Sequence, residues 1–173
     1  MEGFTTKKQQ FATVWKMHTA GDAQWYPAQV PGTVYTDLLR NGQMEDPFWK
    51  DNEYRALDLM EKDYEYETVF EGTEAQEGER QWLRFEGLDT ICDIYLNEEK
   101  IGNTYNMHRT WEFDVTGKVK AGENILRVYF HSPLEYIKEA YETQPTHGSE
   151  DAMDGFVHIR KAHCMFGWDW GAH

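Results

Sequence analysis

The sequence predicts an all-β domain of antiparallel strands closed as a sandwich or a barrel. Three observations carry that prediction. Apolar and polar side chains alternate with period two wherever a pattern is clear, and turn residues recur at short intervals between the alternating runs. Aromatic residues make up 15% of the chain, with seven Trp and ten Tyr, which suits pleated, half-buried strands or carbohydrate contacts. At 173 residues the chain reads as one domain, 1–173, with a core large enough to need no staples.

Each element follows from its own pattern. Phe11, Thr13, Trp15 and Met17 share one face of an opening strand. Thr33 to Arg40 predicts one or two helical turns, because Val34 and Leu38, then Tyr35 and Leu39, recur at helical spacing before Asn41-Gly42 as a stop. Tyr64, Tyr66, Thr68 and Phe70 face one way, with Glu65 and Glu67 expected on a solvated face. Leu83 and Phe85 alternate with Trp82, Arg84 and Glu86, and Cys92, Ile94 and Leu96 alternate with Ile91, Asp93 and Tyr95. Leu126, Val128 and Phe130 complete the set. Turns are marked at Glu77-Gly78, Glu86-Gly87, Asn97 to Lys100, Thr116-Gly117 and Ala121 to Asn124. Segments 43–62 and 132–153 show neither period and are expected to be long ordered loops or crossovers with a short helix.

Composition excludes several functions. Seventeen basic against 31 acidic side chains give a net charge of -14, which repels phosphate backbones and anionic lipid surfaces, so neither nucleic acid nor a membrane is expected as partner. No apolar run reaches bilayer length, and the first ten residues are too polar for a signal peptide. A soluble chain is expected, whether periplasmic, secreted or cytoplasmic. Cys92 and Cys164 lack C-x-x-C spacing; Cys92 is expected as a buried free thiol, with a pairing to Cys164 left open. No phosphate-binding glycine loop, nucleophile elbow or zinc-ligand spacing occurs, His131, His147, His158, His163 and His173 included, so neither cofactor nor metal is expected.

The chemistry concentrates at the end of the chain, in Phe166-Gly167-Trp168-Asp169-Trp170-Gly171. An indole face stacks on the C–H surface of a sugar while a carboxylate accepts hydrogen bonds from two neighbouring hydroxyls. Trp168 and Trp170 would partly desolvate Asp169 and strengthen the hydrogen bonds it accepts. Asp169 and Trp168 are the leading candidates, with Trp170 and Arg160 behind them. Arg160 and Lys161 stand where they would neutralise or orient the carboxylate, although an exposed surface pair fits equally. The alternative for the whole motif is plainer: tryptophans as core and Asp169 as a turn residue between glycines. The acidic pairs Glu65/Glu67, Glu98/Glu99 and Glu150/Asp151 sit in polar settings that would not separate their pKa values, so no general acid and nucleophile are expected among them. Asn106-Met107-His108-Arg109 reads as a packed turn.

Several segments in order resemble the amino-terminal domain of glycoside hydrolase family 2, in its β-mannosidase branch. They are residues 25–34 (WYPAQVPGTV), Asp37-Leu38-Leu39, Glu45-Asp46-Pro47-Phe48, Asn52-Glu53, Tyr64-Glu65-Tyr66 and Phe85 to Thr90. Leu96-Asn97, Asn106 to Arg109, Phe113 to Thr116, Gly122-Glu123-Asn124, Arg160-Lys161-Ala162 and Gly167 to Gly171 follow. One departure is Ala172, where the family pattern has proline.

The resemblance implies a jelly-roll sandwich of the galactose-binding type, with short helical turns in its long loops, standing before immunoglobulin-like domains and a catalytic (β/α)8 barrel. It implies a parent enzyme that is a retaining exo-β-mannosidase whose two catalytic glutamates lie in that barrel. This chain would then hydrolyse nothing by itself. Asp169 would hold hydroxyls of the terminal mannose of a β-mannoside, with Trp168 lining the same subsite. Two other readings compete: an autonomous carbohydrate-binding module with exposed aromatics, and a structural role with the tryptophans as interface core.

Overall fold

The computed structural model describes residues 5–11, 13–147 and 154–167. In chain order the elements are β1 (Trp15–Thr19), β2 (Tyr26–Ala28), α1 (Val34–Arg40), α2 (Asn52–Met60), β3 (Tyr64–Gly72), β4 (Trp82–Phe85) and β5 (Ile91–Leu96). They continue with β6 (Glu99–Tyr105), β7 (Trp111–Asp114), β8 (Gly122–Phe130) and α3 (Pro133–Thr143). Six strands form one antiparallel sheet in the order β2-β1-β3-β8-β5-β6, and β4 pairs with β7 in a second layer.

Alternation becomes packing through register. Tyr64 lies opposite Phe130, Tyr66 opposite Val128 and Thr68 opposite Leu126, so one face of β3 and β8 collects the apolar set. Met17, Cys92, Ile94 and Leu96 extend that face across β1 and β5, all buried. Leu83, Leu88, Val115 and Val119 cover it from the other layer, while Leu38, Leu59 and Met60 cover it from α1 and α2. The layers meet closely at Gly102, where a Cβ would stand 2.1 Å from Cε1 of Phe113. Gly102→Val is therefore expected to destabilise the domain by about 1–3 kcal/mol through overpacking. Urea denaturation checks this as a lower midpoint at unchanged slope.

The outer face of the large sheet corrects one expectation. Glu65 and Glu67 are mostly shielded, with side chains 12% and 18% exposed. Trp25 folds over this face, stacking on His18 at 3.8 Å between ring centroids and lying 4.6 Å from Lys16 Nζ. Glu67 pairs with Lys16 at 2.7 Å and Glu65 with Arg127 at 3.2 Å, so the partial burial is matched by charge-assisted contacts. The indole that covers their cross-strand partners His18 and Lys16 lies 40 or more residues from the two glutamates in sequence, beyond the reach of local patterning.

Helix α1 forms as its sequence requires: the Thr33 hydroxyl accepts the Thr36 N–H at 3.2 Å and the Thr36 hydroxyl accepts the Thr33 N–H at 3.1 Å. The two segments without clear periodicity hold α2 and α3. Helix α3 is started by Ser132, whose hydroxyl accepts the Glu135 N–H at 3.2 Å, with Pro133 in the first turn. Its pattern is faint because Ile137 is its one fully buried position.

Tyrosines make the fold sensitive to alkali. Burial pushes the hydroxyls of Tyr35 and Tyr64 up to about 12. Tyr129 is also pushed up to about 12, first by the hydrogen bond it donates to Asp63 and then by burial. A raised folded-state value favours the neutral phenol, so this stability is complete below the unfolded value of about 10 and is lost as pH rises through the folded values. The thermal midpoint should stay level up to about pH 9.5 and then fall towards pH 12. A midpoint that did not fall across that interval would contradict the assignment.

Candidate functional site

Strand register gathers the functional loops at one end of the large sheet. Thr19, Tyr64, Phe130 and Cys92 stand side by side there, with Ile91 opposite Tyr105 at the β6 edge. Helix α3 leaves from this end, and the closing segment 154–167 returns to it. Gly155, at φ 80°, opens the returning segment flush against α3, where a Cβ would come within 2.7 Å of Ile137 Cγ2. Phe156, Ile159 and Phe166 then form a small second core with Ile137, and Ile91 packs against it. His158 ties the segment to the end of α3 through the Gln144 carbonyl at 2.9 Å.

The turn read as packed has a further use: it is the shelf on which the closing segment lies. Arg160 makes a parallel bridge with Asn106, and the Met107 N–H donates to the Arg160 carbonyl at 3.0 Å. Within the turn, Asn106 Oδ1 accepts the His108 N–H at 2.8 Å, and Trp111 Nε1 donates to the Asn106 carbonyl at 3.0 Å. The Arg109 guanidinium sits 4.3 Å from the Trp111 ring centroid. The sequence offers a weak sign of this shelf, an Asn two residues before a backbone donor, but not what would lie on it.

Of the predicted site residues, Arg160 is exposed and anchored by its main chain. Lys161 is turned to Asp89, with which it forms an ion pair. Trp168, Asp169 and Trp170 lie outside the described residues, and their roles are taken up as a proposal below. Phe166 and Gly167, just before them, are buried, with Gly167 at φ 79°. The chain is thus held firmly up to the residue preceding the Trp-Asp-Trp triplet.

Two acids at this end, Asp63 and Asp93, serve the fold. An open groove of about 1030 Å³ runs beside α3, with Asp63, His131, Glu135 and Glu139 on its walls. Asp63 is occupied on both oxygens, accepting the Ser132 N–H at 2.6 Å and the Tyr129 hydroxyl at 2.7 Å. Asp93 pairs with Lys100 at 2.7 Å and lies 3.4 Å from His131. Burial acts to raise its carboxyl, but the hydrogen bonds from Lys100 and His131 outweigh it and hold the group below the usual range. Such a carboxyl stays ionised, unlike a general acid, which needs a raised value. Among the described residues no three of His, Cys, Asp and Glu gather in a metal-holding arrangement. Cys92 and Cys164 are both free; the Cys92 thiol is buried and pushed up to about 12 by that burial, while Cys164 is exposed.

Comparison with known proteins agrees with this architecture. The glycosyl hydrolase 2 galactose-binding domain-like family matches residues 15–173. A β-mannosidase of Capra hircus is 36% identical over 91% of this chain and 19% of its own length, and one of Bos taurus is 35% identical over 98% and 20%. The crystal structure of a β-D-mannosidase from Dictyoglomus thermophilum superposes with a TM-score of 0.83 at 38% identity, covering 92% of this chain and 20% of that one. The chain spans about a fifth of the length of these relatives. With its two-layered antiparallel strands, its clasped closing segment and a family match from Trp15 to the last residue, the chain belongs to the glycosyl hydrolase 2 galactose-binding domain-like family.

Proposed function

We propose that residues 1–173 are the single, non-catalytic amino-terminal domain of a retaining exo-β-mannosidase, and that Asp169 and Trp168 complete the glycone subsite of a downstream (β/α)8 barrel. The observation that carries this reading is the clasp on the closing segment. Phe156, Ile159 and Phe166 are packed, Arg160 is bridged to Asn106 and Lys161 is paired with Asp89, which anchors the segment that leads to the Trp-Asp-Trp triplet. A residue that must meet a sugar held by another domain needs such a mount, because a misplacement of about 1 Å costs about 100-fold in rate. Similarity to the two mammalian β-mannosidases supports the choice of substrate.

In this reading the domain orients and the barrel cleaves. The Asp169 carboxylate accepts hydrogen bonds from hydroxyls of the terminal mannose, and Trp168 lines the same subsite. Some of these bonds strengthen only as the ring distorts towards the oxocarbenium-like transition state, so the domain contributes to kcat as well as to binding. The test is hydrolysis of aryl β-glycosides by the full-length polypeptide. It should release the aglycone from the β-mannoside with retention at the anomeric carbon, and residues 1–173 alone should release none. Cleavage of β-galactoside or β-glucuronide in preference to β-mannoside would overturn the assignment.

A further inference from the structure

We infer that Phe48, Trp49 and Tyr54 form a second docking point, apart from the closing segment, at which this domain packs against an apolar depression on the downstream part of its own polypeptide. The inference rests on the multidomain reading above. Phe48 is 78% exposed, Trp49 64% and Tyr54 65%. All three stand on one turn and the first turn of α2 that it leads into.

The turn is built to hold them out. Asp46 accepts the Phe48 N–H on Oδ1 at 3.0 Å, and its carbonyl accepts both the Trp49 N–H at 3.1 Å and Asn52 Nδ2 at 3.0 Å. The Asn52 N–H closes on the Trp49 carbonyl at 3.2 Å, and Lys50 takes a left-handed φ of 56°. A loop that merely crossed the surface would not need this order, nor place neighbouring Phe and Trp side chains in water.

Chemistry selects the kind of occupant. A saccharide site needs polar groups converging beside the aromatic face. Here the nearest ones are turned to the loop itself: Asp46 Oδ1 to the Phe48 N–H, Asn52 Nδ2 to the Asp46 carbonyl, and Glu45 to Arg55 at 2.9 Å. What remains is three exposed rings with Lys50, Asp51 and Glu53 as chain neighbours, Lys50 Nζ lying 5.8 Å from the Trp49 ring centroid, and exposed aromatics among charged residues suit a protein contact. Size selects between a free and a tethered partner. At the exposures given, three aromatic side chains offer about 400 Å², well below the roughly 800 Å² per partner of a stable free association. A tethered neighbour at millimolar effective concentration needs no more than this.

The test uses the full-length protein. Phe48→Ser and Trp49→Ser should each speed the tryptic release of this domain by about fivefold or more, while Trp82→Ser, at a 53% exposed position on β4, leaves it unchanged. Exposure of the replaced rings keeps the domain itself folded, and an unchanged far-ultraviolet spectrum checks it. Release rates equal to wild type would overturn the inference. So would loss of manno-oligosaccharide binding at unchanged release, which assigns the patch to a glycan, or conversion of a dimer to a monomer, which assigns it to a second copy. β-Mannoside hydrolysis, read in parallel on the wild type, separates failure of this inference from failure of the functional proposal.

Discussion

Asp169→Ala in the full-length enzyme is expected to lower kcat/KM for an aryl β-mannoside by tenfold or more. Two charge-assisted hydrogen bonds to sugar hydroxyls, at about 1.5–3 kcal/mol each, would give a larger loss if both formed only in the transition state. Part of the energy is already present in the ground state, which sets the lower bound. The loss should fall on kcat as well as KM, because removal of a contact made only in the transition state lowers kcat and kcat/KM together. Unchanged kinetics would remove Asp169 from the subsite. Asp169→Asn, which keeps the shape but not the charge, should fall between wild type and alanine.

Asp37→Ala is expected to cost about 2–4 kcal/mol of stability, because a fully buried acceptor of three hydrogen bonds is removed while Arg40, half exposed, returns to water. Asp37 is 1% exposed in α1 and accepts the Gln29 N–H at 3.1 Å, the Tyr66 hydroxyl at 2.9 Å and the Arg40 guanidinium at 3.3 Å. Its loss strands the buried Tyr66 phenol, at about 1–3 kcal/mol when unpaired, and frees the Gln29 N–H that joins the preceding loop to α1. Burial and the Asp37 charge together push the Tyr66 hydroxyl far above its ordinary value, so the phenol remains the donor through the alkaline range. Asp37→Asn should cost about half as much, since the amide still offers one acceptor. Equal midpoints for wild type and Asp37→Ala in chemical denaturation would contradict this account.

These two aspartates show what a sequence discloses. Asp169 stands out in the sequence as a candidate because its chemistry is local: indole, carboxylate and indole are neighbours along the chain. Asp37 was visible only as part of a family pattern, because its partners Gln29 and Tyr66 lie 8 and 29 positions away. The strands were legible for the first reason: alternation at Tyr64 to Phe70 and at Cys92 to Leu96 directly encodes a buried face. Helix α1 announced itself by the helical spacing of Val34 with Leu38 and Tyr35 with Leu39 and by its Asn-Gly stop. Helices α2 and α3 did not, because each buries a single residue fully, Ala56 and Ile137, and the rest of each surface is polar or half-covered. The clasp on the closing segment was hidden most completely. Its contacts join Asn106 to Arg160 and Asp89 to Lys161, separations of 54 and 72 positions that no periodicity reports.

The most direct test of the central claim is a crystal structure of the full-length enzyme with an unhydrolysed mannoside analogue. The account predicts the Asp169 carboxylate within about 2.6–3.1 Å of two hydroxyls of the non-reducing mannose, with the Trp168 ring lining that subsite. An Asp169 side chain turned back into the sandwich, its oxygens satisfied by this domain and remote from the sugar, would contradict it.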